Sequence, residues 1–271
     1  MHKPVLLHES INALDLKSGE IFLDATYGGG GHSKEVRRRF PTVKVIAIDQ
    51  DPKVDVTRAN FRDLDKVVTQ KVDAILFDLG ISTDQLERSG RGFSFLRDEP
   101  LDMRMSNTGI RAADILNSWD EHAIELILRG FGEERLSGKI ARAIVEQRKV
   151  KPFQTTFDLV RVVETVKHRS FRDKIHPATK TFQALRIATN EELSSLEVGL
   201  EKGFEALGHQ GRLVVISFHS LEDRIVKNFF REKIKEKSAR QITKKPITAS
   251  EEETMNNPRS RSAKLRVIEK I

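Results

Sequence analysis

The sequence predicts an α/β fold, a Rossmann-like and mostly parallel sheet interrupted by a small all-helical insertion. Three observations carry this reading. Short continuous apolar runs at Ile21–Leu23, Val43–Ile48, Ala74–Phe77 and Leu213–Ile216 lack the alternation of a half-exposed strand, as expected of parallel strands covered on both faces. Helical segments separate them. The third and fourth runs lie more than 130 residues apart, far beyond the dozen or so residues that an ordinary crossover needs.

The resulting division places a first part of the main domain at 1–105, a helical insertion at 106–175, and the second part at 176–271. In the insertion, Ala112–Leu116, Ala123–Leu128, Leu136–Ile144 and Phe157–Val166 show apolar residues at helical spacing. Arg135, Lys139 and Arg142, four and three apart, put three cations on one predicted helix face. A solvated face explains that stripe as readily as a phosphate-binding one. From Thr181 to Leu207 the spacing of Phe182, Leu185, Leu193, Leu196, Leu200 and Phe204 predicts one amphipathic helix packed on the sheet. Leu265–Ile268 can add an edge strand after the Pro-containing loop near Thr254–Ser262. Only twenty-four residues separate Asp49 from Ala74, too few for a full helix, strand and helix, so the sheet is trimmed at that edge.

Composition narrows the chemistry. The 271 residues carry a net charge of +7, and residues 231–271 hold twelve Lys or Arg against six Asp or Glu. Such a basic tail favours a polyanionic partner, because each cation placed on a phosphate releases counterions. Cysteine is absent, which removes disulfides, thiolate metal sites and thiolate nucleophiles together. Carbon-5 methylation of a pyrimidine through a thiolate adduct is thereby excluded, leaving nitrogen or ribose oxygen as targets for a base-modifying enzyme. The eight histidines show no metal-binding spacing, so no protein-held metal is expected. No apolar stretch approaches the ~20 residues of a membrane span, which gives a cytoplasmic expectation.

The most informative motif is Asp24-Ala25-Thr26-Tyr27-Gly28-Gly29-Gly30-Gly31-His32, directly after the first apolar run, with Asp49 closing the second. Residues lacking a β-carbon let backbone approach a ligand, and an acid about 20 residues on can accept from ribose hydroxyls. Ser33 stands where a dinucleotide turn needs its third glycine, and no Gly-Lys-Ser/Thr follows for a phosphate cradle. A cofactor with ribose but no phosphate fits better, S-adenosylmethionine being the common candidate. The bland alternative is a tight turn and a strand-ending aspartate.

Asp78, closing the third run in Asp78-Leu79-Gly80-Ile81-Ser82, falls where open α/β sheets bind ligands and is the candidate catalytic acceptor. Phe93 in Arg91-Gly92-Phe93-Ser94-Phe95 can stack on a base or be buried beneath its loop. Polar clusters at 176–183 and 217–224 contribute Lys180, His219 and Arg224 as candidate substrate contacts, though helix capping explains part of both segments. A Ser-His hydrolase is a poor fit, since no G-x-S-x-G elbow occurs.

Together, DATYGGGGHS, AIDQDP, FDLGISTDQL, RGFSF, PLDMRM, GEERLSGKIARAIVEQR, HPATKTFQALRI, ISFHSLEDRIVK and NPRSRSAKLR resemble the bacterial small-subunit ribosomal RNA cytosine-N(4)-methyltransferases, in order and over nearly the whole chain. The resemblance implies a class I methyltransferase sheet, S-adenosylmethionine as cofactor, and methylation of an exocyclic cytosine amine in the decoding region of 16S ribosomal RNA. It implies cofactor contacts at Gly30, Gly31, His32, Asp49, Phe61, Asp78 and Gln85. The chain is shorter than the family between Asp51 and Asn60, and Thr83-Asp84 stand where Ser-Pro is frequent. The implied partner is 16S ribosomal RNA or the small ribosomal subunit, and a homodimer is an allowed state. Competing readings are a non-catalytic RNA-binding assembly factor and a nicotinamide-dependent oxidoreductase.

Overall fold

The computed structural model describes residues 3–168 and 175–271, apart from the side chains of Thr83 and Asp84. The end of the expected insertion, 169–174, lies outside the described residues. In chain order the elements begin with α1 (Leu7–Leu14), β1 (Ile21–Asp24), α2 (Gly31–Arg39), β2 (Lys44–Asp49), β3 (Thr57–Arg58), α3 (Leu64–Val67) and β4 (Val72–Asp78). Six helices follow: α4 (Thr83–Arg88), α5 (Ala112–Ser118), α6 (Glu121–Gly130), α7 (Ser137–Val150), α8 (Thr156–Val166) and α9 (Thr179–Asn190). The chain then runs through α10 (Glu192–Ala206), β5 (Leu207–Ser217), α11 (Ser220–Lys235), β6 (Ala239–Gln241), α12 (Glu251–Asn256) and β7 (Lys264–Lys270). Among the described residues no helix is long and apolar enough to cross a membrane.

Two compact units result: Met1–Gly80 with Leu193–Ile271, and Ile81–Glu192. The first holds a seven-stranded sheet in the order β3-β2-β1-β4-β5-β7-β6. Strands β3 to β5 pair in parallel, and β7 runs antiparallel to both β5 and β6. The apolar runs alternate between two cores as their pleat requires. Leu23, Ile75, Phe77, Leu213 and Val215 meet Leu196, Leu200 and Phe204 of α10 and Val226 and Phe229 of α11. Phe22, Ala74, Leu76, Val214 and Ile216 meet Ile11 and Leu14 of α1 and Val36 of α2. Each fully buried Val, Leu, Ile or Phe side chain among them contributes roughly 1.5–3 kcal/mol.

The β2–β4 interval is compressed: a two-residue β3, a single 3₁₀ turn at Phe61–Asp63 and a four-residue α3 fill it. Strand β7 is an interior strand, because β6 covers its outer side; the edge placement expected for Leu265–Ile268 is therefore corrected. The basic C-terminal segment is likewise folded into the sheet. Lys264 and Arg266 both pair with Asp223, Arg240 with Glu269, and Lys270 donates to the Phe204 and Leu207 carbonyls.

The second unit is all helical. Its core joins Phe93, Leu101, Met103 and Met105 with Ile115, Leu128, Ile140, Ile144, Leu159 and Val163, and with Phe182 and Leu185 of α9. The unit is therefore wider than 106–175, since apolar residues on both flanks bury in the same cluster. Arg135 precedes α7, so it does not share the helix face of Lys139 and Arg142, and Arg142 lies 3.6 Å from Glu121. The single helix expected over 181–207 is broken at Glu191, whose φ is 50°. The break follows from Asn190, whose side chain accepts from Met105 N at 2.7 Å and donates to Met103 O at 2.8 Å.

Candidate active site

The carboxyl ends of β1, β2 and β4 carry Asp24, Asp49 and Asp78, and the register of β1 against its two neighbours sets these ends side by side. The topology reverses at β1, where β2 lies on one side and β4 on the other, and open sheets bind ligands at such a point. The glycine turn bridges them. Tyr27 N donates to Ile48 O at 3.1 Å, Gly28 N to Asp49 Oδ2 at 2.7 Å, and Asp78 N to Thr26 Oγ1 at 2.6 Å.

Gly28 and Gly30 adopt φ of 51° and 71°, in the left-handed region that a β-carbon disfavours. A β-carbon on Gly30 would also strike the Tyr27 ring, and one on Gly31 would strike Pro4. Helix α2 starts at Gly31, so its free amides face this turn. Asp49 also accepts Asp51 N at 2.8 Å, and burial pushes its carboxyl above the ordinary range. A carboxylate offers about four acceptor sites, so Asp49 retains capacity for a hydroxyl donor beyond its backbone amides.

In the sequence Asp24 reads only as a strand end opening the glycine motif. It is 1% exposed and accepts the Ser33 hydroxyl at 2.6 Å, and burial pushes it up to about 6. Ser33 thus occupies its non-glycine place for a structural reason. Asp78 is also raised well above its ordinary value, first through burial and then through repulsion from Asp24 and Glu222. Its Oδ1 is buried with no hydrogen-bond partner among the described residues. His32 is buried, with Nε2 3.1 Å from Val5 O and Nδ1 3.6 Å from Asp78 Oδ2. Glu222 gave no sequence signal beyond a helix first turn. It accepts Phe218 N at 2.8 Å and His219 N at 3.3 Å.

The remaining candidates fall in several places. Phe61 packs edge to face on Phe77, with ring centroids 5.5 Å apart, and closes over Gly199. His219 is the N-cap of α11, where its Nδ1 accepts Glu222 N at 3.4 Å and its Nε2 lies 3.2 Å from Glu222 Oε1. Arg224 is exposed on the second turn of the same helix. In the helical unit, Gln85 closes a capping box with Ser82, and Lys180 donates to Glu133 O at 2.8 Å. Phe93 is 7% exposed within the helical core, so the stacking role expected for it is corrected: its ring already fills a hydrophobic cluster. Phe95 is covered by His176 at 4.7 Å and Phe182 at 5.0 Å.

Strand order, an antiparallel β7, a glycine turn after β1 and acids closing β1, β2 and β4 define a class I methyltransferase. Comparison with known proteins carries this to a family. The chain matches the MraW methylase family over residues 1–271, and it belongs to that family. The ribosomal RNA small subunit methyltransferase H of Carboxydothermus hydrogenoformans is 44% identical to it, over 100% of this chain and 98% of the relative. That of Heliobacterium mobile is 45% identical over 100% and 99%, and that of Trichormus variabilis 46% over 99% and 92%. The chain is a methyltransferase, and S-adenosylmethionine is its methyl donor.

The first unit fits this donor. A sulfonium and an ammonium are both cationic, and three carboxylates raised by burial and by neighbouring acids gain from a cation beside them. The orphaned Asp78 oxygen and the glycine surface that a β-carbon would obstruct supply an unmatched acceptor and room for close approach.

Proposed function

We propose that the chain methylates the exocyclic N4 amine of a cytosine in the decoding region of 16S ribosomal RNA, within the small subunit or its precursor. The relatives' names support a ribosomal RNA of the small subunit, and the absence of cysteine supports a nitrogen target. The observation that carries the reading is Asp78: a carboxylate at the end of β4, beside the glycine turn, with one oxygen lacking any donor.

The residues divide as follows. Gly30 and Gly31 present backbone to the donor, Asp49 accepts its ribose hydroxyls, and Phe61 is the further contact in this unit expected from the family, which also names Gln85 of the helical unit. When bound, S-adenosylmethionine supplies an electrophilic methyl carbon. Asp78 orients the cytosine amine by accepting its N–H, which holds the nitrogen lone pair out of the ring, and then takes the proton released. Holding the nucleophile near 3–3.5 Å from its target replaces an entropic cost of order 7–11 kcal/mol in favourable models. His219, Arg224 and Lys180 contact RNA. The capping bond of His219 and the bond of Lys180 to the Glu133 carbonyl restrict both side chains, which is compatible with this reading.

Incubation with small subunits and labelled donor, followed by nucleoside mass spectrometry, tests the reaction. N4-methylcytidine is expected. A methylated ribose or another base in its place would refute the assignment.

A further inference from the structure

We infer that the outward face of α11 is a track for the RNA backbone: Lys227, Arg231 and Lys235, following Arg224, hold phosphates of the strand whose cytosine reaches Asp78, which rests on the small-subunit RNA proposed above as substrate. Lys227, Arg231 and Lys235 are four apart and all exposed, so they stand in one column on the helix. The core face of α11, with Val226, Phe229 and Phe230, points the other way. At about 1.5 Å of rise per residue the column is about 12 Å long, or about 16 Å counted from Arg224. Among the described residues none of the three forms an ion pair, and only Arg231 reaches a side chain, Asn228 Oδ1 at 3.2 Å.

Neighbouring cations of the same unit are matched. Lys233, on the core side of α11, pairs with Glu201 at 3.0 Å and Glu236 at 3.5 Å and lies over the Phe204 and Phe229 rings. Asp223 takes both Lys264 and Arg266. Glu232, three residues before Lys235, is exposed and forms no ion pair with it among the described residues. Like charges four apart on a helix are destabilising, and the helix dipole offsets this only for Lys235, in the last turn. The column is thus a destabilising feature that nothing inside the fold relieves. A row of phosphates neutralises it and releases counterions in doing so.

Placement selects the polyanion. Strand β5 pairs with β4 so that Ile216 lies opposite Asp78, and α11 starts at Ser220, just beyond that strand end. The column therefore leads away from the edge of the sheet where Asp78 stands, as the backbone of a strand with one nucleotide held at that acid would. A membrane surface is the poorer occupant. An interfacial helix buries its apolar face in lipid, whereas the apolar face of α11 is already buried in the sheet core.

Filter binding of the full chain to 16S ribosomal RNA without methyl donor, from about 50 to about 300 mM salt, gives the affinity and its salt slope. The triple variant Lys227→Gln/Arg231→Gln/Lys235→Gln should bind at least about tenfold more weakly, with a slope smaller by about 2–3. Each single substitution should lower the slope by about 0.7–0.9, which carries the measurement if the triple variant fails to fold. The charge-keeping Lys227→Arg/Arg231→Lys/Lys235→Arg should restore affinity to within about twofold of wild type, because a phosphate track reads charge. Lys17→Gln/Lys44→Gln removes two exposed cations near the amino ends of β1 and β2 and should leave the slope unchanged. An unmoved slope in the triple glutamine variant, or an equal loss per charge in the Lys17/Lys44 control, would make the column a solvated face and overturn the inference. Failure of the proposed reaction shows elsewhere, as missing N4-methylcytidine with wild-type protein, and leaves the donor-free binding result readable.

Discussion

Asp49 holds the glycine turn by accepting the Gly28 amide at 2.7 Å, while its other oxygen accepts Asp51 N at 2.8 Å. One side chain thus shapes the loop and, in the function proposed above, also accepts from the ribose. In Asp49→Ala both amides lose their acceptor, which costs roughly 1–3 kcal/mol of stability. The dissociation constant for S-adenosylhomocysteine should rise at least about tenfold. Calorimetry at a temperature where the variant is folded checks this, and unchanged affinity would remove Asp49 from the cofactor site.

Asp24 gives a pH prediction with a definite sign. Its folded value near 6 stands above the ordinary 3.8, so the native state holds this proton more tightly than the unfolded chain. The cost of ionising it is absent below the unfolded value, grows as pH rises through the interval, and is complete above about 6. Asp24→Asn keeps an acceptor for Ser33 and removes that cost. Its stability relative to wild type should therefore grow by about 1–3 kcal/mol between pH 4 and pH 7.5. Urea denaturation at both pH values measures the difference, and a gap that shrinks with pH would contradict the assignment.

The sheet was legible because its strands are buried on both faces and read as uninterrupted apolar runs, down to the alternation of Phe22 and Leu23 between opposite cores. Asp49 and Asp78 were legible for a related reason, as acids that terminate such runs. What stayed hidden depended on tertiary partners. The periodicity of 181–207 continues across Glu191, and only the bonds of Asn190 to the Met103–Met105 strip reveal the break. Phe93 sits in a flexible, basic motif that suggests a base platform, yet its burial is decided by helices far along the chain. Composition counted the C-terminal cations as free, whereas Lys264, Arg266 and Lys270 are engaged inside the fold.

Truncation after Phe230 follows from that last correction. Such a chain loses β7, which contributes Leu265, Val267 and Ile268 to the cores and pairs with β5 from Arg212 to Ser217. Asp223 loses both of its cations as well. The expected result is an unfolded or aggregating product rather than a folded enzyme with weakened RNA binding. Circular dichroism and thermal melting of the truncated chain decide it, and a cooperative melt near that of wild type would show that the fold does not need the C-terminal segment.

Phe93→Ala separates a base-stacking ring from a core one. A stacking ring on the surface would cost RNA affinity and leave stability unchanged. Phe93 is instead packed in the helical core, on a loop that Gly92 turns at φ 71° and that Thr156 fastens by accepting Glu99 N at 3.2 Å and donating to Arg97 O at 2.7 Å. Deleting the ring leaves a cavity, and large-to-small changes of this kind cost about 3–5 kcal/mol. The melting temperature should fall accordingly, while RNA affinity measured below the transition stays within about twofold. The opposite pattern, an unchanged melt with affinity reduced tenfold or more, would return Phe93 to the substrate surface.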